Sequence, residues 1–152
     1  LIGKEKIESI FNDAVKKGII TSNDLWDRNY IPIPNTKPQK YETRFTKFIK
    51  DYIQPIEDEL LAKDTNFSTV VLVDDNGYLA AHNSKYDKPL TGDYKTDLKN
   101  NRSKRLLSDP ISLSSAKSEE SVYIQIYPRD TDEIMYRLSV PIFYLKANIG
   151  EL

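Results

Sequence analysis

Apolar residues recur along this chain of 152 residues with two successive periods, and the change of period divides the sequence. In "KEKIESIFNDAVKKG" Ile7, Ile10, Phe11, Ala14 and Val15 fall at helical spacing, with lysines in the last turn and Gly18 behind them. That pattern predicts an amphipathic helix stopped at the glycine. "TSNDLWD" sets a capping residue ahead of a short turn that carries Trp26. "NYIPIPNTKP" follows, and three prolines in seven residues predict an extended loop rather than a helix or a central strand. In "QKYETRFTKFIKDYIQPIEDELLAK" Tyr41, Phe45, Phe48, Ile49, Tyr52, Ile53, Ile56 and Leu60 recur every three or four residues. This predicts a long helix from about Gln39 to Lys63. Pro55 removes a backbone donor inside it and predicts a kink or break near Asp51 and Tyr52.

Beyond Phe67 the period shortens to two. "FSTVVLVDD" is β-branched and ends at Asn76-Gly77, a strong hairpin signal, with "YLAAHN" as the returning strand. Ser84 to Thr96 has loop composition, and "DLKNNRSKRLLSD" from Asp97 predicts a short basic helix. "SVYIQIYPRD" places Val122, Ile124 and Ile126 on one face and Tyr123, Gln125 and Tyr127 on the other. The aliphatic face is expected in the core. "DTDE" predicts a turn, "IMYRLSVPIFYL" a long strand with Pro141 at a bulge or unpaired edge, and "ANIGEL" the opening of one more strand. The order of elements predicts an α+β fold with helices packed on an antiparallel sheet.

Composition narrows the function. Twenty-two Lys and Arg face 23 Asp and Glu, a balance that gives no support to nucleic-acid binding. No apolar run reaches membrane-spanning length, so no membrane contact by this chain is expected. The absence of cysteine excludes a disulfide framework, a thiolate zinc site and a cysteine nucleophile. One histidine and no nucleophile or phosphate-loop motif leave no catalytic set, so the reading is of a non-enzyme with no cofactor and no metal. The length favours one domain over residues 1–152, and the start at Leu1 suggests a fragment of a longer protein.

Four stretches in order, "DLWDRNYIPIPNTKPQKYETRF", "VDDNGYLAAHN", "NRSKRLLSDP" and "QIYPRDTDEIMYRLSVPIFY", resemble the PAS-like (Cache-like) sensor domain of bacterial methyl-accepting chemotaxis proteins. Ala80-Ala81, Leu106-Leu107 and Asp132 depart from that family's pattern, and its closing stretch survives here only as Gly150. The resemblance implies an antiparallel sheet of about five strands, a long N-terminal helix behind it, and a segment, here Ser84 to Glu120, covering a pocket. It further implies a small-molecule sensing domain of a chemotaxis or signal-transduction receptor that binds its ligand without catalysis. Its partners would be an unidentified small molecule and a neighbouring chemoreceptor signalling region. A homodimer is left open. A place on the cytoplasmic side of a membrane-associated receptor is favoured over an extracytoplasmic one. The alternative is a structural or dimerisation module with no ligand.

The candidate ligand-binding residues are Tyr78, His82, Arg102, Arg105, Gln125 and Tyr127. Tyr78 and His82 share a strand face, and an imidazole there would change charge between about pH 5 and 8. Arg102 and Arg105, three apart, would present two guanidiniums from one helix face, a geometry suited to a carboxylate. Gln125 and Tyr127, with Tyr123, form a polar-aromatic stripe that suits a pocket floor or ordinary packing under a helix.

Overall fold

The computed structural model describes residues 2–128 and 133–143. Helix α1 (Ile2–Lys16) buries Ile7, Phe11 and Ala14, the stripe that the period predicts, and Gly18 follows at φ +70°. The short α2 (Ser22–Leu25) starts at a reciprocal cap. The Thr21 hydroxyl accepts from the Asp24 N–H, and the Asp24 carboxylate from the Thr21 N–H. The proline-rich stretch becomes a hairpin of a largely exposed β1 (Ile31–Ile33) and a β2 (Lys40–Glu42) that buries Lys40.

The long helix starts later than its pattern suggests. Residues 39–45 go to β2 and a turn, and α3 (Thr46–Phe48) opens after them. A π-helical turn (Ile49–Ile53) then leads into α4 (Gln54–Lys63), where Pro55 sits in the first turn. A helix cannot carry Pro55 in its interior without losing a bond, and the widened turn absorbs that loss at the expected place. Phe45, Phe48, Ile49 and Ile53 are buried against α1, with the Phe11 and Phe48 rings 5.9 Å apart.

The chain is α+β, but the sheet of about five strands does not form. The described strands make three separate two-stranded antiparallel sheets, β1–β2, β3–β4 and β5–β6. Here β3 is Tyr78–Leu79, β4 Arg105–Leu106, β5 Tyr123–Pro128 and β6 Ile134–Ser139. The reason lies in residues 68–73, which should have been the first strand of the hairpin. Their backbone donors go to side chains: the Val70 N–H to Asn83 Oδ1 (2.8 Å) and the Leu72 N–H to Glu57 Oε1 (2.8 Å). A ladder needs those donors, so β3 pairs instead with β4, Tyr78 opposite Leu106 and Leu79 opposite Arg105. The turn itself survives. Gly77 has φ +83°, its N–H donates to the Asp74 carbonyl (3.0 Å), and a Cβ there would lie 2.5 Å from the Leu107 carbonyl oxygen.

Helix α5 (Tyr94–Asn100) lies earlier than the predicted basic helix and ends before "RSKR". Helix α6 (Pro110–Lys117) is capped by the Asp109 carboxylate on the Ser112 N–H. It packs on β5, and there the expected facing is reversed. Tyr123, Gln125 and Tyr127 are half-buried, while Ile124 and Ile126 are more than 60% exposed. Polar contacts drive this choice: Gln125 Nε2 donates to the Ile111 carbonyl (2.9 Å) and the Ser115 and Ser139 hydroxyls share a hydrogen bond. Strand β6 ends at Ser139, short of Pro141. The turn expected around 130–133 and the strand expected from 147 onward fall largely or wholly outside the described residues. No described helix is long and apolar enough to cross a membrane.

Candidate functional site

A cleft of about 1610 Å³ opens between α1 and α4 on one side and residues 64–80, α6 and β6 on the other. Small-molecule pockets usually hold about 300–1,000 Å³, so a ligand of that class would fill one part of it. Five of the six candidates line this cleft: Tyr78, His82, Arg102, Arg105 and Tyr127. Gln125 does not. Its amide nitrogen is spent on the Ile111 carbonyl and the residue braces α6.

Tyr78 lines the cleft with its body only. Its hydroxyl donates to the Tyr41 carbonyl (2.9 Å) and shares a hydrogen bond with Thr46 Oγ1 (2.8 Å). The ring packs between Tyr30 and Phe45, with centroids at 5.2 and 5.8 Å. Burial pushes the phenol well above its ordinary range. It acts as a pillar of the core rather than a donor to a ligand.

His82 is 3% exposed. Its carbonyl accepts from Gln54 Nε2 (2.6 Å), and its ring stands edge-on to Tyr86 at 5.1 Å. Nδ1 is buried and has no hydrogen-bond partner among the described residues. Burial, then the Arg102 guanidinium, pulls the imidazole down to about 4. The side chain is therefore neutral at physiological pH, and the expected charge change between pH 5 and 8 is moved below that range. The neighbouring Asn83 is fully buried and structural: besides holding Val70 it reaches Asp58, whose carboxylate also accepts from the Ser84 N–H (2.9 Å).

The two arginines do not share a helix face, because α5 stops at Asn100. Arg105 turns back to cap that helix. Its Nη2 donates to the carbonyls of Asp97 (3.1 Å), Leu98 (3.0 Å) and Asn101, a cation on the negative end of the dipole. Its Nε stays buried without a partner. Arg102 lies 6.0 Å from the Tyr86 ring centroid and has no carboxylate partner among the described residues.

Two residues of the cleft escaped the sequence reading. Arg137 lies 5.2 Å from the Tyr127 ring centroid, with Nη2 3.4 Å from the Tyr127 hydroxyl and Nη1 3.3 Å from Ser112 Oγ. It too has no carboxylate partner among the described residues. Glu57 is 1% exposed, and its Oε2 has no partner among the described residues. Burial pushes its carboxyl up to about 8, against the pull of the Leu72 N–H, so at pH 7 it is mostly protonated. A signal for it was present: Glu57 stands four residues after Ile53 on the buried stripe of the helix, where an acid is out of place.

The cleft lining thus includes the guanidiniums of Arg102, Arg105 and Arg137, without an ion pair among the described residues, and, elsewhere on the wall, an acid held neutral. Its apolar lining comes from Ile7, Phe11, Leu25 and Phe45. Such a surface can hold an anionic head with an apolar body. Among the described residues no cluster of His, Asp and Glu could hold a metal ion. No family model matches the chain, and neither a curated protein nor a solved structure matches it.

Proposed function

We propose that the chain is a small-molecule sensing domain of a bacterial signal-transduction receptor of the chemotaxis type. It binds an anionic ligand with an apolar body and does not transform it. The observation that supports this reading is the pair of guanidiniums on the cleft, Arg102 and Arg137, that have no carboxylate partner among the described residues. Cations that lack a partner on a concave, partly apolar surface leave their donors available to an anionic ligand. The four ordered sequence motifs supply the signalling context. Arg102 and Arg137 supply the charge, neutral His82 a directional hydrogen bond, and the rings of Tyr78 and Tyr127 the walls. The signal would leave through the terminal elements to a neighbouring signalling region, on the cytoplasmic side of the membrane.

A thermal-shift screen of carboxylates and phosphates tests this, since a ligand bound only by the native state raises the melting temperature. An apolar carboxylate should stabilise the protein, and Arg102→Met with Arg137→Met should abolish the effect. No shift with any anion, or an undiminished shift in the double variant, refutes the reading.

A second reading, an interaction module without a ligand, draws on one feature. Ile124, Ile126, Ile134, Tyr136 and Leu138 form a continuous apolar face of β5–β6, each more than half exposed, and all but Ile126 also line the cleft. Self-association in sedimentation together with a ligand-silent cleft would favour it.

A further inference from the structure

Away from the cleft, a smaller pocket of about 350 Å³ lies between the β1–β2 hairpin, residues 87–90 and residues 101–104. Its floor holds Lys40, the one buried lysine among the described residues, 5% exposed. The backbone puts it there. Strand β2 runs beside β4, with the Tyr41 N–H donating to the Lys104 carbonyl (2.8 Å), and Lys40 Nζ reaches across to the carbonyl of Ser103. That carbonyl is its only hydrogen-bond partner among the described residues, and none of their carboxylates lies within ion-pair distance of it.

The acid that shares the pocket is already committed. Asp87 Oδ1 accepts from Ser103 Oγ (2.5 Å), and Oδ2 accepts from Gln54 Nε2 (2.9 Å) and pairs with Lys50. Neutral donors are spent as well: Thr36 Oγ1 donates to the Ile33 carbonyl (2.8 Å), and Asn101 Nδ2 to the Lys88 carbonyl (2.5 Å). What remains is a buried ammonium with no direct ion pair among the described residues, Asp87 and Asp97 acting on it only at longer range, and the exposed Lys88 side chain at the rim, also unpaired among the described residues. The third remaining group is Asn101 Oδ1, a buried acceptor with no donor, on a side chain that is 7% exposed. Burial draws Lys40 down to about 8, which still leaves it charged at pH 7. A buried charge without a partner and a buried amide oxygen without a donor are each unfavourable. One ligand can satisfy both.

We infer that this pocket is a second binding site, for a small carboxylate that also carries a hydroxyl group. The carboxylate lies between the Lys40 and Lys88 ammonium groups. The hydroxyl donates to Asn101 Oδ1, and the apolar carbons rest on Ile33, Pro89 and Leu90. The volume sits at the small end of the range for ligand pockets and selects a compact molecule. The site is spatially distinct from the cleft, because none of the cleft's guanidiniums lines it, although the Arg105 charge is felt at Lys40.

The test uses the whole chain and two probes, glycolate and acetate, which share a carboxylate and differ in the hydroxyl. Binding is followed through the backbone amide resonances of Leu90 and Ser103 and the side-chain Nζ resonance of Lys40. Glycolate should bind roughly five- to tenfold more tightly than acetate, the worth of one neutral hydrogen bond. Asn101→Leu should bring glycolate down to the level of acetate, and Lys40→Met should abolish both. If Lys40→Met does not fold, the exposed Lys88→Ala takes its place and should weaken both probes. The inference is overturned if glycolate and acetate bind equally, or if neither binds. It is also overturned if the shifts map to Arg102 and Arg137, or if binding survives Lys40→Met or is untouched by Lys88→Ala.

Discussion

Glu57 and His82 are both buried on the same cleft and shift in opposite senses, so their titrations make opposed contributions to stability. Glu57 has its carboxyl raised from 4.5 to about 8. The native protein holds that proton where the unfolded chain has lost it, so the contribution is full below pH 4.5 and lost as pH rises through 8. At about 1.4 kcal/mol per pH unit the loss amounts to about 5 kcal/mol. His82 is lowered from 6.5 to about 4. Its contribution is full above pH 6.5 and lost as pH falls through 4, about 3 kcal/mol on the same scale. Between pH 4.5 and 6.5 the two slopes cancel and stability should be level. From pH 6.5 to 8 only Glu57 acts, and stability should fall by about 2 kcal/mol. The window is clean, because the lowered carboxylates Asp27, Glu59, Asp87, Asp93, Asp97 and Asp109 act below their ordinary range and Lys40 acts above about 8. Urea denaturation at constant ionic strength measures this. Glu57→Gln keeps an oxygen for the Leu72 N–H and removes the titration. It should show stability rising to pH 6.5 and flat from there to 8. His82→Asn should show the reverse, a steady fall from pH 4.5. A native protein whose stability rises from pH 6.5 to 8, or a Glu57→Gln profile that parallels it, would refute the burial of a protonated Glu57.

The remaining predictions concern packing, a turn and a cap. Phe48→Ala should destabilise by about 3 to 5 kcal/mol in equilibrium denaturation, since the ring is 93% buried between Phe11 and Tyr52. Gly77→Val should cost about 2 kcal/mol or more, because φ is +83° and the new Cβ meets the Leu107 carbonyl oxygen at 2.5 Å. Arg105→Met should lower stability by about 2 kcal/mol by stripping the C-terminal carbonyls of α5. Arg102→Met should change it by less than about 0.5 kcal/mol, and equal melting temperatures for the two variants would contradict the assigned roles.

The local elements were legible wherever their signal was local. The stripe of α1, the Thr21 cap, the positive φ of Gly77 and the break ahead of Pro55 all depend on residues within a few positions. The sheet was not legible, because pairing depends on what else competes for backbone donors. Glu57 and Asn83 take the donors of Leu72 and Val70, and neither residue advertises this in its own neighbourhood. Alternation marked β5 as a strand but could not say which face would be covered, since α6 meets the polar side through hydrogen bonds. The candidate site was read by residue type better than by role. Tyr78, His82, Arg102, Arg105 and Tyr127 share a cleft, yet the Tyr78 hydroxyl and the Arg105 fork are consumed by the fold. Arg137 was missed because it stands on a strand with no partner motif near it.

The π-helical turn between α3 and α4 makes the two halves of that helix rotationally independent of a plain α-helical register. One residue advances an α-helix by about 100° around its axis. Removing one residue from Ile49–Ile53 would let the turn tighten to ordinary α geometry without breaking the rod. The two flanks would keep nearly their present relative facing, because the widened turn already holds one residue more than an α-turn; the same deletion in a plain α-helix would swing one half by that angle. The present sequence wound as an unbroken α-helix would turn Phe45 and Phe48 away from the face shared with Ile53 and Glu57, and the aromatic contact with α1 and the acid on the cleft could not both be kept. The turn acts as a phase adjuster that lets one continuous helix serve two surfaces that a regular helix would set out of alignment.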